Sequence, residues 1–345
     1  VQNAGERLAQ LGSVSFDDPF HWLEEESLEG NAWQSEQDAL TQAYLQGLPA
    51  YSRLMTRLKK KPRVTSEFPT LAGDRWFRVN IPEGKDLKAI EVGETQEGPW
   101  RTVVDLNAFD MGEPLSLDVM APSPDGKKLL YIWSRGGREV ENPCILDVDT
   151  GSLILAGIRR VRSMFHAWTP DSSALYYSAY DPAVSMTHCN VYKQVIGAEL
   201  TTSHEACEAT HPVVWARPAA DKRHVLITAD HLCPRPDYIK DEKGDGQWRP
   251  FLKGATHLFK GDIIGSNYIA ITDEGAACGR LVSIPLSTPQ DRSTWKELVA
   301  GSDNVLASIL VVGDRIVLVD LVDTFSRICV LKDDGTIEGE IKGPG

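Results

Sequence analysis

Histidine and cysteine residues supply the first candidates for chemistry in this sequence. His188 directly precedes Cys189, and His204 stands three residues before Cys207. A structural zinc site needs about four such ligands at close spacing, whereas these two pairs stand apart in a stretch that reads as an extended strand or loop. We therefore predict neither a metal ion nor a cofactor.

The acidic stretch from Asp147 to Gly151 has the opening spacing of a calcium-binding loop. Asp147, Asp149 and Gly151 fit that spacing, but the glutamate that closes such a loop is missing from the residues that follow. We predict a hairpin turn at this position.

No serine has the surroundings of an activated nucleophile. The Gly-x-Ser-x-Gly pattern places such a serine on a sharp turn between a strand and a helix, and the pattern occurs nowhere in the 345 residues. A glycine-rich phosphate loop and the His-Glu-x-x-His pattern of zinc peptidases are also missing from the sequence. From its residues alone, the chain is predicted to carry no complete catalytic apparatus.

Turn residues recur along the chain at a nearly constant interval. One Asp or Asn marks each turn, and successive marks are 51, 46, 50, 46 and 47 residues apart; they are Asp74, Asp125, Asp171, Asp221, Asn267 and Asp314. A run of β-branched or aromatic residues follows each mark, which is typical of a β-hairpin. A supersecondary unit that repeats at such a period indicates a propeller or a solenoid.

Four short strands fit into each repeat, which is the content of one propeller blade. A parallel solenoid would use shorter coils, and βα alternation would need helices that the repeats lack. The predicted fold is therefore all-β, a β-propeller of four-stranded blades. About six blades are expected, near residues 67–108, 115–157, 160–208, 211–254, 257–301 and 304–342.

A helical segment, residues 1–62, is predicted to precede the propeller of residues 63–345. Asp18 suits the N-cap of a first short helix. Apolar residues recur at helical spacing over residues 31–48, and a third helix is predicted over residues 51–60.

The overall composition excludes two classes of partner. No apolar run approaches the ~20 residues that a membrane helix needs. The formal net charge of −13 argues against nucleic acid, whose binding proteins carry basic patches. We predict neither a membrane nor a nucleic-acid partner.

The six cysteines are scattered, and none forms a Cys-x-x-Cys pair. Several lie in strand-like runs, which favours buried free thiols over a disulfide scaffold. Free thiols fit a reducing compartment, so a cytoplasmic location is expected. A periplasmic or secreted location and disulfide pairing stay open at this point.

The segment "DDPFHWLEEESLEGNAWQ", which begins at Asp17, resembles the N-terminal signature of the prolyl oligopeptidase family of serine peptidases. The matching features are an Asp-Pro pair, an aromatic residue, Trp22-Leu-Glu and the later Trp33. The stretch "HAWTPD" around Trp168 is similar to part of that family's third blade, and "STWKELV" at residues 293–299 is similar to another family segment. The resemblance runs from about residue 17 to about residue 341.

Membership would imply a helical segment, a seven-bladed propeller and an α/β-hydrolase domain that bears the catalytic Ser, Asp and His. This chain would then supply the helical segment and about six of the seven blades, without the hydrolase domain. The resemblance implies a non-catalytic role, in which the propeller gates and selects short peptides that the full peptidase cleaves after proline. The implied partners are the short peptide substrate and the hydrolase domain.

Three substrate-contacting residues are implied by the same resemblance. Cys233 stands where the family has a cysteine near the substrate, and Val213 where it has an apolar side chain. Phe165, or its neighbour Ser163 or Met164, stands near a family aromatic residue. The alternative for Val213 and Phe165 is core packing, and for Cys233 a thiol without a role.

Two other functions are weighed against this one. A stand-alone propeller would bind peptides or proteins over its central channel without chemistry, and the sequence encoded after Gly345 would discriminate the two. A propeller lyase or glycosidase would need clustered carboxylates or histidines, which the repeats do not show. Six blades could close on themselves or leave a ring open for a seventh; an open ring exposes strand edges and favours self-association.

Overall fold

The computed structural model of the protein describes residues 8–11, 14–24, 27–60, 66–136, 141–158, 161–181, 185–201, 203–205 and 213–343. The chain divides into two compact units, Val1–Val64 and Thr65–Gly345. Among the described residues, no helix has both the length and the apolar character needed to cross a membrane.

The N-terminal unit begins with a hairpin that the sequence analysis did not predict. Strands β1 (Leu8–Leu11) and β2 (Val14–Asp17) pair antiparallel. The expected first helix is a single 3-10 turn, His21–Leu23. The predicted N-cap at Asp18 is wrong, because Phe20 is the N-cap residue and no side chain caps the turn; Asp18 Oδ1 accepts a hydrogen bond from the Phe20 amide at 3.1 Å, just before the turn. The next helix starts from its own cap four residues after this turn ends.

Two α-helices follow, α1 (Leu28–Gly47) and α2 (Tyr51–Lys60). Ser27 caps α1, since its Oγ accepts a hydrogen bond from the Gly30 amide at 3.0 Å. The predicted start at residue 31 was three residues late, because apolar spacing does not register a capping serine. Trp22 and Trp33, both part of the N-terminal signature, contact each other edge to face with ring centroids 6.0 Å apart.

The second unit consists of six antiparallel sheets, one per repeat, which we number as blades 1 to 6. Blades 1 to 3 contain β3 (Thr70–Ala72), β4 (Arg75–Asn80), β5 (Ala89–Gly93) and β6 (Trp100–Asp105); β7 (Leu115–Pro122), β8 (Lys128–Arg135), β9 (Glu141–Asp147) and β10 (Leu153–Ala156); and β11 (Val161–Trp168), β12 (Ala174–Asp181) and β13 (Ser185–Val195). Blades 4 to 6 contain β14 (Val214–Pro218), β15 (His224–Ala229), β16 (Arg235–Asp241) and β17 (Trp248–Pro250); β18 (Phe259–Ile264), β19 (Asn267–Thr272), β20 (Arg280–Pro285) and β21 (Lys296–Val299); and β22 (Val305–Val312), β23 (Arg315–Val322), β24 (Phe325–Lys332) and β25 (Ile337–Ile341).

This architecture confirms the predicted fold class, an all-β propeller that follows an N-terminal helical segment. Five blades have four strands, and blade 3 has three within the residues described. The outer edge of blade 3 is nevertheless occupied at one point, where the Glu205 amide donates to the Val191 carbonyl at 2.7 Å. The stretch Asp147–Gly151 forms the predicted hairpin turn, with the Gly151 amide 2.9 Å from the Asp147 carbonyl oxygen.

In blades 2 and 3, the turn between the first two strands explains the aspartate at the turn mark. In blade 3, Thr169 Oγ1 donates to Asp171 Oδ1 at 2.7 Å, and the Ser173 amide donates to the same oxygen at 3.1 Å. Blade 2 repeats the arrangement, since Ser123 Oγ donates to Asp125 Oδ1 at 2.6 Å. The hydrogen bonds from Thr169 and Ser173 lower the pKa of Asp171 to about 2.

Turns of consecutive blades also interlock. The Asp125 amide of blade 2 donates to Ser172 Oγ of blade 3 at 3.1 Å. Gly126 has a φ of +69°, and a Cβ there would lie 2.4 Å from the Ala72 carbonyl oxygen in the turn of blade 1. Glycine is therefore required at Gly126 both by its φ and by the approach of the neighbouring turn.

Five apolar cores lie between consecutive blades. Because side chains alternate along a strand, Leu129 faces the core shared with blade 1 while Leu130 faces the core shared with blade 3. Members that are at most 1% exposed, from the blade 1–2 core to the blade 5–6 core, include Phe77 and Ile90; Leu175 and Tyr192; Tyr176 and Ile227; Phe251 and Phe259; and Leu281 and Ile316.

The outermost faces of blades 1 and 6 belong to none of these cores, as far as the described residues extend. On blade 6, Leu310, Val317 and Val330 lie side by side across three strands, and Leu310 is 61% exposed. On blade 1, the corresponding face carries an ion pair between Arg78 and Glu91 at 2.7 Å. A wide exposed aliphatic face is typical of an interaction surface.

Replacing Asp171 by Asn is expected to flatten the acid dependence of stability. A carboxyl whose pKa falls from 3.8 to about 2 on folding stabilises the fold above about pH 4, and this stabilisation is lost as the pH falls through about 2. Asp171→Asn should lower the Tm near neutral pH and reduce its fall between about pH 5 and pH 2. Thermal melts followed by circular dichroism measure both, with Asp333→Asn in an exposed turn as the control. An unchanged pH profile in Asp171→Asn would contradict the turn's role.

Charging the two faces of β23 should have opposite consequences. Leu318 is 5% exposed in the blade 5–6 core, so Leu318→Lys buries a charge and should cost several kcal/mol or abolish folding. Val317→Lys lies on the uncovered face and should keep the Tm within a few degrees while reducing self-association of the 345-residue chain. Melting curves and light scattering at matched concentrations test this. Equal loss of Tm in both variants would show that both faces are packed.

Candidate functional site

A cavity of about 770 Å³ lies where the first strands of blades 3 to 6 converge. Its wall is built from β11, β14, β18 and β22, the four strands that begin these blades. We call it the channel cavity, because the first strands of propeller blades surround the central channel. The residues that line it include Phe165, Trp215, Arg217, His231, Leu232, Pro234, Lys260, Asp262 and Ala307.

An aromatic stack forms one side of the channel cavity. The rings of Phe165 on β11 and Trp215 on β14 lie 5.2 Å apart between centroids with an interplanar angle of 11°. Phe165 is 7% exposed, so most of its surface packs against protein. The partly buried Trp215 is therefore the more accessible member of the stack, and it supplies an apolar aromatic surface to the cavity.

The loop that joins β15 to β16, residues 230–234, lies at the edge of the cavity, and we call it the mouth loop. Asp230 has a φ of +64°, and its Oδ1 accepts hydrogen bonds from the amides of Leu232 and Cys233 at 3.0 and 3.1 Å. The Asp230 amide in turn donates to the Val213 carbonyl at 3.0 Å.

On its other side, the mouth loop is joined to blade 5, because the Phe259 amide donates to the Pro234 carbonyl at 2.7 Å. The loop is thus fixed to two first strands by backbone hydrogen bonds. Its position relative to the cavity wall does not depend on any side chain that points into the cavity.

A partly buried ion pair crosses from blade 4 to blade 5 within the wall. Arg217 Nη1 lies 2.7 Å from Asp262 Oδ2, and Asp262 Oδ1 accepts from the Ala220 amide at 2.8 Å. The guanidinium also donates to the Gly261 carbonyl. Glycine is needed at Gly261, since a Cβ there would lie 1.9 Å from the Ile269 carbonyl oxygen. The pair fixes β14 against β18. The positive charge of Arg217 and the negative charge of Asp262 compensate each other.

The three predicted substrate residues, Phe165, Cys233 and Val213, differ in how they contact the channel cavity. Phe165 lines the channel cavity directly. Cys233 does not line it, although both of its chain neighbours, Leu232 and Pro234, do. Val213 is 6% exposed, belongs to the start of blade 4 and meets the site only through its carbonyl oxygen. The side chains of Ser163 and Met164 lie outside the described residues.

Burial raises the pKa of the half-buried Cys233 thiol, and the nearby charges of Asp273 and Asp230 raise this pKa further. A thiol with a raised pKa is mostly protonated near neutral pH and is a poor nucleophile. A nucleophilic role for Cys233 is therefore not favoured.

The sequence analysis missed Trp215, although the repeat contained the signal for it. The turn marks Asp171 and Asp221 are 50 residues apart, and so are Phe165 and Trp215. The two aromatic residues occupy equivalent positions on consecutive first strands, which is why their rings meet. Lys260 and Asp262 carried no comparable signal, because charged residues on a strand read as solvent-facing.

The predicted metal candidates are not assembled into a site within the described part of the chain. Cys189 is buried, and His204 Nδ1 lies 2.8 Å from the Glu205 carbonyl oxygen. Cys207 and the His188 side chain lie outside the described residues. Asp18, His21 and Glu24 do bring ligand atoms within 4.8 Å of one another, but all three are partly or fully exposed. None of the described cysteines forms a disulfide.

Comparison with known proteins gives consistent matches along the whole chain. A family model described as "Prolyl oligopeptidase, N-terminal beta-propeller domain" matches residues 2–345. Prolyl oligopeptidase A of Galerina marginata is 24% identical over 208 residues, which is 53% of this chain and 28% of the relative. Prolyl oligopeptidase A of Amanita bisporigera is 27% identical over 196 residues, which is 49% of this chain and 25% of the relative.

Solved structures agree with the sequence matches. A structure from a study of two prolyl endopeptidases superposes with a TM-score of 0.82 at 22% identity, covering 100% of this chain and 53% of the other. Prolyl oligopeptidase B of Galerina marginata, bound to a 35mer hydrolysis and macrocyclization substrate, gives a TM-score of 0.75 at 16% identity and covers 99% and 53%. At these identities the likeness shows the fold. The chain spans about half of these solved proteins.

Removing the charge of Asp273 should make Cys233 more reactive. Asp273→Asn eliminates a negative charge that raises the pKa of the thiol and keeps an oxygen for the Leu258 amide, which donates to it at 3.0 Å. The midpoint of the pH dependence of Cys233 alkylation should fall, and the rate at pH 8 should rise about two- to fivefold. Mass spectrometry of iodoacetamide-treated protein reads out the site, with Asp333→Asn as the control. An unchanged midpoint would exclude Asp273 as a cause.

Proposed function

The chain belongs to the prolyl oligopeptidase family, as its N-terminal β-propeller domain, and we propose that this propeller selects short peptides for a peptidase active site. The observation that carries the proposal is the channel cavity, whose wall presents the Phe165–Trp215 stack next to a mouth loop held by backbone hydrogen bonds. A concave apolar wall with a few polar groups is the usual form of a ligand site.

In this proposal the chemistry is performed by an α/β-hydrolase domain that bears Ser, Asp and His. The serine oxygen attacks the carbonyl carbon of a prolyl residue, and the peptide bond that follows this residue breaks. The histidine takes the serine proton and gives it to the leaving amine, the aspartate orients the histidine, and water then hydrolyses the acyl-enzyme. The residues of this chain bind and orient the peptide and restrict what reaches the serine. We also propose a cytoplasmic location, on the basis of the scattered cysteines.

Selection by size follows from the dimensions of the site. A cavity of about 770 Å³ accommodates a short extended peptide, whereas a folded protein is too large to enter between the first strands. Selection by chemistry follows from the aromatic stack, because the compact apolar pyrrolidine ring of proline packs on aromatic side chains.

Peptide binding by the 345-residue chain tests the proposal. A terminally blocked peptide that contains proline should bind, and Trp215→Ala should weaken its Kd about five- to tenfold through loss of the aromatic contact. The matched control is Trp100→Ala, which removes a half-buried tryptophan of blade 1 outside the cavity. Isothermal titration calorimetry measures both Kd values, and melting curves confirm that each variant is folded.

Two outcomes would contradict the selecting role. Equal Kd values for wild type and Trp215→Ala would remove the channel cavity as the binding site. Equal binding of the same proline sequence displayed on a folded protein would favour the alternative, a binding scaffold without a size filter. A fluorophosphonate probe and a chromogenic proline substrate complete the test, and no labelling or turnover by this chain is expected.

A further inference from the structure

The ionisable groups of the channel cavity do not cancel one another. Its lining includes Arg217, His231, Lys260 and Asp262 as ionisable side chains. Arg217 and Asp262 form the 2.7 Å ion pair between blades 4 and 5, so their charges are mutually compensated. Among these lining residues, no carboxylate compensates the positive charge of Lys260.

Lys260 has a hydrogen-bond partner but no carboxylate among the described residues. Its Nζ donates to the Ala307 carbonyl of β22 at 3.3 Å. Several other lysines of the propeller are paired with carboxylates, such as Lys88 with Glu67 at 2.9 Å and Lys240 with Glu205 at 2.9 Å. An ammonium group has three donors, so Lys260 keeps donors available for a ligand.

The setting strengthens the attraction of this ammonium group for an anion. The chain as a whole carries a formal charge of −13, so a small anionic ligand is repelled by most of the surface. Lys260 is exposed to solvent, so salt screens its charge, but the concave wall of the cavity focuses the field of this cation more than a convex surface would. The outer surface therefore repels a small anion, whereas the channel cavity attracts it through Lys260.

Lys260 is close to the mouth loop in sequence and shares the cavity wall with the apolar residues of the site. It follows Phe259, whose amide is bonded to the mouth loop at Pro234, so it stands at the end of β18 nearest the mouth. Leu232 and Pro234 line the cavity, and so does the Phe165–Trp215 stack on β11 and β14. A ligand that fits both parts combines an apolar ring with a carboxylate.

We propose that Lys260 forms a carboxylate subsite in the channel cavity and gives the propeller a preference for acidic peptides. The inference rests on the proposed function, peptide selection by this cavity, and specifies the peptide class. The carboxylate is either an Asp or Glu side chain or the free C-terminus of the peptide. Both present two oxygens to the ammonium group, which makes a charge-assisted hydrogen bond to one of them.

Three blocked or free peptides of one length distinguish the two sources. Each contains proline and phenylalanine; the first carries Glu and an amidated C-terminus, the second carries Gln and an amidated C-terminus, and the third carries Gln and a free C-terminal carboxylate. Calorimetric titration gives their Kd values for wild type, Lys260→Gln and Lys127→Gln. Lys127 is an exposed lysine at the turn of blade 2, outside the cavity, and serves as the matched control.

Wild type should bind at least one of the two carboxylate peptides about three- to tenfold more tightly than the amidated Gln peptide. The preference should vanish in Lys260→Gln, persist in Lys127→Gln and shrink as salt is raised. The amidated Gln peptide should bind all three proteins with similar Kd. Which peptide shows the gain identifies the source of the carboxylate.

The possible failures are distinguishable. If the amidated Gln peptide binds but neither carboxylate improves its Kd, the Lys260 subsite is overturned while peptide selection stands. A preference that survives in Lys260→Gln also overturns the subsite, because another cation must then be responsible. If none of the three peptides binds to folded wild-type protein, peptide selection fails and the subsite fails with it.

Discussion

Every blade of this propeller depends on having a neighbour. A four-stranded sheet has two faces, and in blades 2 to 5 each face carries apolar side chains that are buried only because the next sheet covers them. Leu129 and Leu130 illustrate the point, since adjacent residues of one strand belong to different cores. Burial of such side chains contributes about 1.5–3 kcal/mol each, so removal of one blade would expose both neighbours.

The same constraint frees the first strands for function. Blades 3 to 5 have a core on each side and blade 6 has one toward blade 5, so the first strands of these blades are held in place. Trp215 and Lys260, which line the channel cavity, belong to none of these cores. The cavity wall can therefore carry an aromatic stack, an ion pair and a lone lysine without loss of the fold. The mouth loop follows the same logic, since its fixed position comes from backbone hydrogen bonds.

The sequence predicted the propeller because the turn chemistry is local. Asp171 and Asp125 bind side chains and amides within two residues of themselves, so their spacing is visible in the chain. The N-terminal hairpin and the start of α1 at Ser27 were missed, since neither has a strong periodic signal. Membership of the prolyl oligopeptidase family was likewise readable from the short segment around Trp22.

The candidate site was predictable only in part, because its residues are brought together by the packing of four blades. Phe165 was identified through a family resemblance, whereas its partner Trp215 could have been found from the 50-residue offset between turns. The positions of Lys260 and Asp262 in the cavity wall could not be predicted from any spacing in the sequence. Whether a strand cation is paired depends on a neighbouring blade about 45 residues away, and no spacing within the sequence encodes that distance.

The interlocked turns and shared cores join each blade to the one before it in the sequence, and this has a consequence for synthesis. At about 5–20 residues per second, a new repeat of some 47 residues leaves the ribosome every few seconds. Each blade can settle on its predecessor while the following one is still being translated, so the domain can grow in one direction from blade 1. During this growth the most recently folded blade always has one exposed aliphatic face, to which a chaperone would bind.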